Sequence, residues 1–194
     1  MKLTIRTQEI VKALYRTQGI ADIRSTQAIL SHVLLSATTD GVLTVSATDQ
    51  DVGLSGRYEA EVEKSGSIAI QARQLYDVVK ALNTESLCIE ERSGHWIQIE
   101  SGSGKYRLAG LSGDEFPSLA VHDEIPTSRM PAKELLQMID RTLFCVSQND
   151  KRHNLGGVYC TKETENTLRF VATDGHRLAM VEKESDDLKG FEQG

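Results

Sequence analysis

Apolar positions at the start of the chain alternate first with the spacing of a strand and then with the spacing of a helix. Residues 2–6 alternate as in a half-buried strand, and residues 7–18 carry apolar side chains at helical spacing, with Thr7 as the expected N-cap. Turn-forming residues separate three further predicted strands at 29–37, 42–47 and 52–62. The pattern therefore predicts a β-α-β-β-β unit.

The same order of elements follows a second time before residue 112. A strand at 67–70 precedes a helix at 72–82, and further strands are predicted at 86–91, 96–100 and 106–111. Two short helices cannot cover both faces of a sheet of about eight strands. We therefore expect an α+β fold in which the helices cover one face of antiparallel sheets and the other face is exposed to solvent.

A longer repeat relates the first part of the chain to the second. The segment LTVSATD at 43–49 recurs as LRFVATD at 168–174, and the same offset of 125 positions (43 to 168) pairs Glu9 with Glu134 without a gap. Solenoid repeats have periods of about 20–50 residues, so a period of this length indicates two copies of one domain. A second copy as long as the first would end near residue 250, and we expect one complete and one partial domain.

The expected first domain spans residues 1–120, and the expected second domain spans 128–194. Residues 113–127, which include two prolines and several acidic residues, are the predicted linker. The second domain is predicted to contain a helix at 132–147 and strands at 157–161, 168–172 and 178–184. The polar tail at 185–194 is expected to fray.

Composition narrows the class of protein. With 39% apolar and 26% charged residues and no stretch near the roughly 18 apolar residues of a membrane span, the chain is expected to be cytoplasmic, with no membrane partner. Three widely spaced cysteines, Cys88, Cys145 and Cys160, indicate free thiols. Motifs for zinc, calcium or a phosphate loop are lacking, so no cofactor is expected.

A net charge of −6 argues against a protein that simply coats nucleic acid. The helix faces opposite the apolar stripes nevertheless carry cations, namely Lys12, Arg16, Arg73, Lys80, Lys133 and Arg141. On a shared face they would form a basic lining that contacts phosphates without reading bases. The alternative is that these are ordinary solvated helix faces, since Glu9, Asp77 and Asp140 lie among them. No aromatic interleaving suggests base stacking.

The string TDGHRL at 173–178 places an aspartate, a histidine and an arginine close together. Enzymatic use would need partners such as a nucleophile motif, and none accompanies it. In the first copy the matching segment begins Thr48-Asp49 but lacks the histidine and the arginine, so the shared Thr-Asp pair predicts a structural Asx turn. The rest of the string is either a binding surface or a plain turn.

These features together resemble the bacterial DNA polymerase III β subunit family, the sliding clamps. The resemblance runs from residue 1 to about 181 and depends on the repeat, on VATDGHRLA at 171–179, and on shorter strings at Arg24-Ser25-Thr26, Ala72-Arg73 and Phe116-Pro117. It implies a non-enzymatic processivity factor with the DNA clamp fold, which encircles duplex DNA as a head-to-tail homodimeric ring of six similar domains. Helices would line the hole and sheets would form the acidic exterior, which accounts for both the one-sided helices and the net charge.

The resemblance also implies three sets of site residues. The DNA-facing set comprises Arg24, Arg73, Lys80, Asn149, Lys12 and Arg16. Of these, Arg24 and Arg73 match family positions, while Asn149 stands where relatives often carry glutamine. The partner-peptide pocket, which takes short motifs of the DNA polymerase III catalytic subunit, the clamp loader and repair factors, is matched by Leu155, Thr173, Gly175, His176, Arg177 and Leu178. The ring contact is matched by Gln74, Tyr106 and Leu108.

Three domains of this period would need about 375 residues. We therefore expect this chain to be an N-terminal fragment without the ring-closing domain, with weak or absent peptide binding. Two other hypotheses stay open on the residues alone. One is an interaction module with no role at DNA, and the other is an enzyme that uses Asp174 and His176.

Overall fold

The computed structural model describes residues 1–21, 27–119, 127–147 and 153–191, without the side chain of His153. The chain divides into two compact units, Met1–Ala120 and Val121–Gly194. Within the described ranges, no helix is both long and apolar enough to cross a membrane.

The described part of unit 1 consists of a nine-stranded sheet and two α-helices. The helices are α1 (Thr7–Thr17) and α2 (Ala72–Lys80). The strands are β1 (Lys2–Arg6), β2 (His32–Thr38), β3 (Val42–Thr48), β4 (Gly53–Glu59), β5 (Glu61–Lys64), β6 (Gly66–Gln71), β7 (Ser86–Arg92), β8 (Trp96–Ser101) and β9 (Gly104–Ser112). All pairs are antiparallel, in the order β4-β3-β2-β6-β9-β8-β7-β1-β5.

Two equivalent halves build this unit, β1-α1-β2-β3-β4 and β6-α2-β7-β8-β9. In the first half β4 pairs with β3, and β5, which continues the same chain, turns back to β1. In the second half the single strand β9 takes the places of both β4 and β5, because it pairs first with β8 and then with β6. The halves join through two equivalent strand pairs, β2 with β6 and β7 with β1. The predicted repeat of the β-α-β-β-β unit is therefore confirmed.

The core of unit 1 lies between the helices and one face of the sheet. Ile10 and Leu14 of α1 and Leu75 of α2 are fully buried and pack in one cluster with sheet residues such as Ile97 and Ile99. Burying such side chains stabilises the fold by about 1.5–3 kcal/mol each. Residues that alternate with the buried ones, as along β1 and β7, are polar or charged. The predicted arrangement, with helices on one face and solvent on the other, is confirmed.

The predicted start of α1 is wrong in one detail. Arg6, and not Thr7, occupies the N-cap position, and it makes no side-chain capping bond. Thr7 is already the first helical residue, and its Oγ1 is buried without a hydrogen-bond partner among the described residues. The backbone N–H of Thr7 donates instead to the carbonyl of Glu85, the residue before β7, at 2.9 Å. A backbone carbonyl, and not a side chain, therefore accepts from this N–H group at the start of α1.

Two predicted strands of unit 1 have different bounds. Residues 28–31 form a 3-10 turn, in which the Ser31 hydroxyl donates to the Ala28 carbonyl at 2.7 Å, so the strand begins only at His32. The single strand predicted at 52–62 is interrupted at Ala60, whose N–H donates to Gly41 at 2.9 Å. At this residue the chain passes from β4, which pairs with β3, to β5, which pairs with β1.

The described residues of unit 2 form one α-helix and three strands. They are α3 (Ala132–Asp140), β10 (Tyr159–Thr164), β11 (Thr167–Thr173) and β12 (Leu178–Glu184), with the strands antiparallel in chain order. Met138, Leu168 and Phe170 are buried in its small core. The helix predicted to reach residue 147 ends at Asp140, and a 3-10 turn follows at Leu143–Cys145. Between them, the Thr142 hydroxyl donates back to the Met138 carbonyl at 2.9 Å.

The expectation that the tail frays is wrong for its described part. Leu188 is buried in the core of unit 2. The Asp187 carboxylate accepts from the Arg129 N–H at 3.2 Å, and the Gly190 N–H donates to the Ser128 hydroxyl at 2.7 Å. Residues 185–191 thus lie against the start of unit 2, as β5 lies against β1 in unit 1.

Candidate functional site

The exposed side of the helix pair in unit 1 carries the predicted cations. Arg73 is 70% exposed, with its Nε 3.9 Å from the Asp77 carboxylate. Lys12 is 57% exposed and donates to Glu9 at 2.9 Å. Ion pairs this exposed contribute little to stability and are readily exchanged for other anions. Both cations are therefore accessible to a polyanion.

Arg16 and Lys80 lie in different surroundings on this side. Arg16 is exposed and lines a shallow cavity with Arg57 and Glu59 of β4, at the margin of the helix pair. Lys80 ends α2 and lies over the ring of Tyr76, with Nζ 5.3 Å from the ring centre. Lys80 therefore lies beside an aromatic ring of its own helix, and Arg16 lies beside β4.

An aromatic pair on the helix surface was missed by sequence reasoning. Tyr15 is 68% exposed, and its ring lies 6.5 Å from that of Tyr76. The sequence pattern did not indicate this pair, because Tyr15 and Tyr76 come from different helices and their rings meet only when the helices pack. A signal was present, since Tyr15 follows Lys12 by three positions on the same helix.

Two of the DNA-facing predictions, Arg24 and Asn149, lie outside the described residues. Lys133 and Arg141, at either end of α3, are exposed on unit 2. Of the predicted DNA-facing set, the structure therefore places Lys12, Arg73 and Lys80 on the helix pair of unit 1, with Arg16 at its margin.

The TDGHRL string forms a compact turn between β11 and β12. The Asp174 carboxylate accepts from the N–H groups of His176 and Arg177, both at 3.0 Å. The Thr173 hydroxyl donates to the Arg177 carbonyl at 2.7 Å and accepts from the Gly175 N–H at 3.1 Å. Gly175 has φ +87°, a region that side chains disfavour and glycine tolerates. The predicted structural Asx turn is confirmed.

These bonds hold Asp174 in its charged form. The N–H groups of His176 and Arg177, followed by the Arg177 guanidinium at 2.9 Å, lower the pKa of Asp174 to about 2. Hydrogen bonds to a carboxylate favour its ionised state over the protonated one. Asp174 therefore acts as a fixed acceptor in the turn and is poorly suited to proton transfer near neutral pH.

Arg177 ties this turn to the segment after α3. While its Nε donates to Asp174, its terminal nitrogen donates to the Phe144 carbonyl at 2.7 Å, and its guanidinium carbon lies 5.7 Å from the Phe144 ring centre. The Ser147 N–H, three residues on, donates to the Leu155 carbonyl at 3.0 Å. The segment 144–147 thus contacts both Arg177 and Leu155, two of the predicted pocket residues.

Exposed apolar surface surrounds the turn. Leu178 is 64% exposed and Phe144 is 58% exposed, while Leu155 is half-buried. His176 and Arg177 are exposed beside them. A patch of large apolar side chains rimmed by an arginine is typical of a surface that binds another protein. Phe144 was missed by sequence reasoning, since only the folded chain brings it to Arg177.

The predicted ring-contact residues lie near one exposed strand segment. From Gly104 to Ala109, β9 pairs with β8, and it pairs with β6 only from Gly110 onward. Within the described residues the other edge of 104–109 is unpaired. Tyr106 is 40% exposed on this segment, Leu108 packs at the margin of the core, and Gln74 is exposed on α2.

The described residues contain no group of three or more histidine, cysteine or acidic side chains that could hold a metal ion. Cys88, Cys145 and Cys160 are free thiols. Burial raises the pKa of Cys88, and it raises the pKa of Cys160 to about 11, so neither forms a reactive thiolate readily.

Comparison with known proteins gives one consistent result. Residues 1–120 match the family model of the DNA polymerase III beta subunit N-terminal domain, and residues 129–190 match that of its central domain. The chain is 35% identical over 187 residues to a beta sliding clamp of Caulobacter vibrioides and 33% identical over 186 residues to one of Synechococcus elongatus. These alignments cover 94% and 95% of this chain but 50% and 49% of those relatives, so the chain spans about half their length.

Solved structures agree with the sequence relatives. The DNA polymerase sliding clamp from Bacillus subtilis superposes with a TM-score of 0.91 at 29% identity, over 97% of this chain and 51% of that one. The DNA polymerase III subunit beta from Pseudomonas aeruginosa superposes with a TM-score of 0.88 at 30% identity, over 100% of this chain and 52% of that one. The fold is therefore the α+β DNA clamp fold, with a complete N-terminal domain and a partial central domain.

Proposed function

This chain belongs to the DNA polymerase III beta subunit family, which is not catalytic, and from that membership we propose that it acts as a processivity platform at duplex DNA. Unit 1 presents cations to the DNA backbone, and unit 2 presents part of a docking surface for polymerase and clamp-loader motifs. Its place of action is the cytoplasm, at the nucleoid.

The helix surface of unit 1 is the observation that carries the proposal. Arg73, Lys80 and Lys12 are exposed on two helices that pack side by side, while the chain as a whole carries a charge of −6. Exposed cations grouped on one surface attract phosphates without sequence readout. Because its acidic partners are exposed and few, phosphates can exchange with them at little cost. Weak contacts of this kind suit a protein that slides.

Two further surfaces fit the same proposal. The unpaired edge of β9 near Tyr106 can accept a strand from another protein or subunit, as the ring contact of the family requires. The patch around Arg177 and Phe144 offers apolar contacts and a fixed guanidinium for a short peptide.

Fluorescence anisotropy with a labelled DNA duplex at low salt tests the DNA role of the 194-residue chain. The double variant Arg73→Glu, Lys80→Glu should weaken binding by about tenfold or more and flatten the salt dependence. The matched control is Lys105→Glu, Arg107→Glu, which reverses the same number of charges. Both residues lie on β9 on the sheet face opposite the helices, where Lys105 is 70% exposed and Arg107 lies over Trp96, with 5.1 Å from its guanidinium carbon to the ring centre.

The comparison of these variants separates the proposal from its rival. If the helix surface binds DNA, the control loses far less affinity than the double variant, although both replace exposed cations. Equal losses would mean that general charge alone governs binding. No binding by the wild-type chain at low salt, or no loss in the double variant, would favour an interaction module without a role at DNA.

A further inference from the structure

The two tyrosines on the helix surface of unit 1 are held in different ways. Tyr76 is half-buried and packs against the core of the unit, whereas Tyr15 is 68% exposed. The ring centres lie 6.5 Å apart, with an angle of 41° between the ring planes. Aromatic rings attract each other at this separation. Tyr76 therefore gives Tyr15 a fixed neighbour, while most of the Tyr15 side chain remains open to solvent.

Cations accompany both rings. The Lys80 Nζ lies 5.3 Å from the ring centre of Tyr76, and Arg73 precedes Tyr76 by three positions on α2. Lys12 precedes Tyr15 by three positions on α1. Residues three or four apart are neighbours on a helix surface, so each ring has a positive charge beside it. Proteins that bind single-stranded nucleic acid combine these two groups, because the cations attract phosphates and the rings stack on bases.

A cavity of about 230 Å³ lies beside the ring of Tyr76. Its wall is formed by residues near the end of α1 and in the first turns of α2, namely Gln18, Ala21, Ala72, Arg73, Tyr76 and Asp77. The amide and the guanidinium offer hydrogen-bond donors, and the amide and the carboxylate offer acceptors. The edges of nucleobases carry donors and acceptors as well. The cavity therefore suits the polar edge of a base next to a ring that suits its flat face.

The aromatic pair has a use at DNA only where bases are unpaired. In a duplex each base face lies against the next base, and a helix surface that does not enter a groove contacts phosphates. Stacking on a side chain requires a base that has left the duplex stack. Phosphate contacts, in contrast, need the cations alone.

We infer that the helix surface of unit 1 binds single-stranded DNA, with a base stacked on Tyr15 and the phosphates beside Lys12 and Lys80. The inference rests on the proposed function, in which the same surface meets DNA. It adds a contact with bases that binding to a duplex does not involve.

Fluorescence anisotropy with three labelled ligands tests the base contact. The ligands are a strand of thymidines, a strand of equal length whose sugars carry no bases, and a duplex of equal length. Tyr15→Leu should weaken binding of the thymidine strand by about tenfold and leave binding of the other two nearly unchanged. Tyr15 is the residue to replace, because Tyr76 also packs in the core. The matched control is Tyr159→Leu, since Tyr159 is 61% exposed on β10 of unit 2.

A change of fluorophore tests stacking without removing an aromatic ring. Trp96 is the only tryptophan of the chain. In the variant Tyr15→Trp, Trp96→Phe the only indole therefore lies on the helix surface. A base stacked on an indole quenches its fluorescence, so the thymidine strand should quench this variant and the strand without bases should not. The wild-type chain is the control, because its indole lies on β8 and should not respond.

The outcomes separate this inference from the proposed function. A loss in Tyr15→Leu that is confined to the thymidine strand, together with quenching by that strand, is the expected result. Equal losses for the strands with and without bases, or no quenching at a saturating concentration of the thymidine strand, would overturn the stacked base. If Tyr15→Leu lost no affinity while the duplex still bound, only the inference would fail. If the wild-type chain bound none of the three ligands, the proposed function would fail with it.

Discussion

The turn after β3 in unit 1 and the turn after β11 in unit 2 share the same hydrogen bonds but carry different side chains. In the first, Thr48 donates to the Val52 carbonyl at 2.9 Å, and Asp49 accepts from Asp51 and Val52 at 3.0 and 2.7 Å. Thr173 and Asp174 make the corresponding bonds 125 positions later. The Thr-Asp pair thus serves the fold in both copies, and it does not by itself mark a binding site.

What differs is the side chain at the last position of the turn. Val52 stands where Arg177 stands in the second copy, and only Arg177 can donate to both Asp174 and the Phe144 carbonyl. The equivalent of Phe144 in unit 1 is Gly19, which offers no ring. Repetition followed by local substitution has therefore produced one plain turn and one turn with an arginine and an aromatic ring at its surface.

The largest expected effect is the loss of peptide affinity when the Arg177 side chain is removed. Arg177→Ala is expected to weaken binding of a clamp-motif peptide by about tenfold or more, because arginine at an apolar patch is a common hot spot. Arg177→Lys should rescue little, since a lysine cannot donate to Asp174 and Phe144 in the same planar geometry. Fluorescence polarisation with a labelled peptide measures both variants, and full binding by Arg177→Ala would contradict the assigned role.

The reciprocal change, Val52→Arg, serves as the control for this prediction. It adds a guanidinium to the same turn skeleton in unit 1, where no phenylalanine is available at the equivalent position. We expect no gain in peptide affinity. A gain comparable to the loss in Arg177→Ala would mean that the arginine alone, and not its surroundings, makes the site.

An exchange at the third turn position should change stability by a smaller amount and with opposite signs. Gln50 has φ +82° and Gly175 has φ +87°, so both occupy a region that costs other residues about 1 kcal/mol relative to glycine. Gly175→Gln should lower the free energy of unfolding by about 1 kcal/mol, and Gln50→Gly should raise it by a similar amount or less. Urea denaturation of each variant measures both signs. If both variants changed the free energy of unfolding in the same direction, the backbone φ angle would not determine the effect of substitution at these positions.

The smallest expected effect concerns the ionisation of Asp174. Its pKa of about 2 in the folded chain lies below its ordinary value, so the turn contributes stability that is full above about pH 4 and is lost as pH falls toward 2. Asp174→Asn should remove this part of the pH dependence. Arg177→Ala should raise the Asp174 pKa only partly, because the N–H groups of His176 and Arg177 are the larger causes. Carboxyl titration by NMR measures the pKa of Asp174 in each variant. A return of this pKa to its ordinary value in Arg177→Ala would show that the guanidinium, and not the two N–H groups, is the main cause.

The sequence predicted features that depend on neighbouring residues, but it did not predict contacts between residues that are distant along the chain. The Thr-Asp turn was predicted because a short side chain that bonds its own backbone needs no distant partner. The contact between Arg177 and Phe144 spans 33 positions and has no periodic signal. The break at Ala60 was missed for the same reason, since its cause is a bond to Gly41 on another strand connection.

The tail of unit 2 shows the same limit. Residues 185–191 have the polar composition of a fraying end, yet Leu188 is buried once Ser128 and Asp187 hold the two segments together. The apolar stripes of α1 and α2 were sufficient to predict one-sided helices, because the face of a helix follows from its period. Which cations share that surface with Tyr15 and Tyr76 depended on how the two helices pack.

The most direct test of the central claim, that only the second turn is a binding surface, is an NMR titration of the 194-residue chain with a clamp-motif peptide. Amide signals report even weak binding residue by residue. We predict saturable shifts at residues 173–178 and at Phe144, with the signals of residues 48–52 unchanged. No shifts at 173–178 at millimolar peptide, or equal shifts at both turns, would contradict the account.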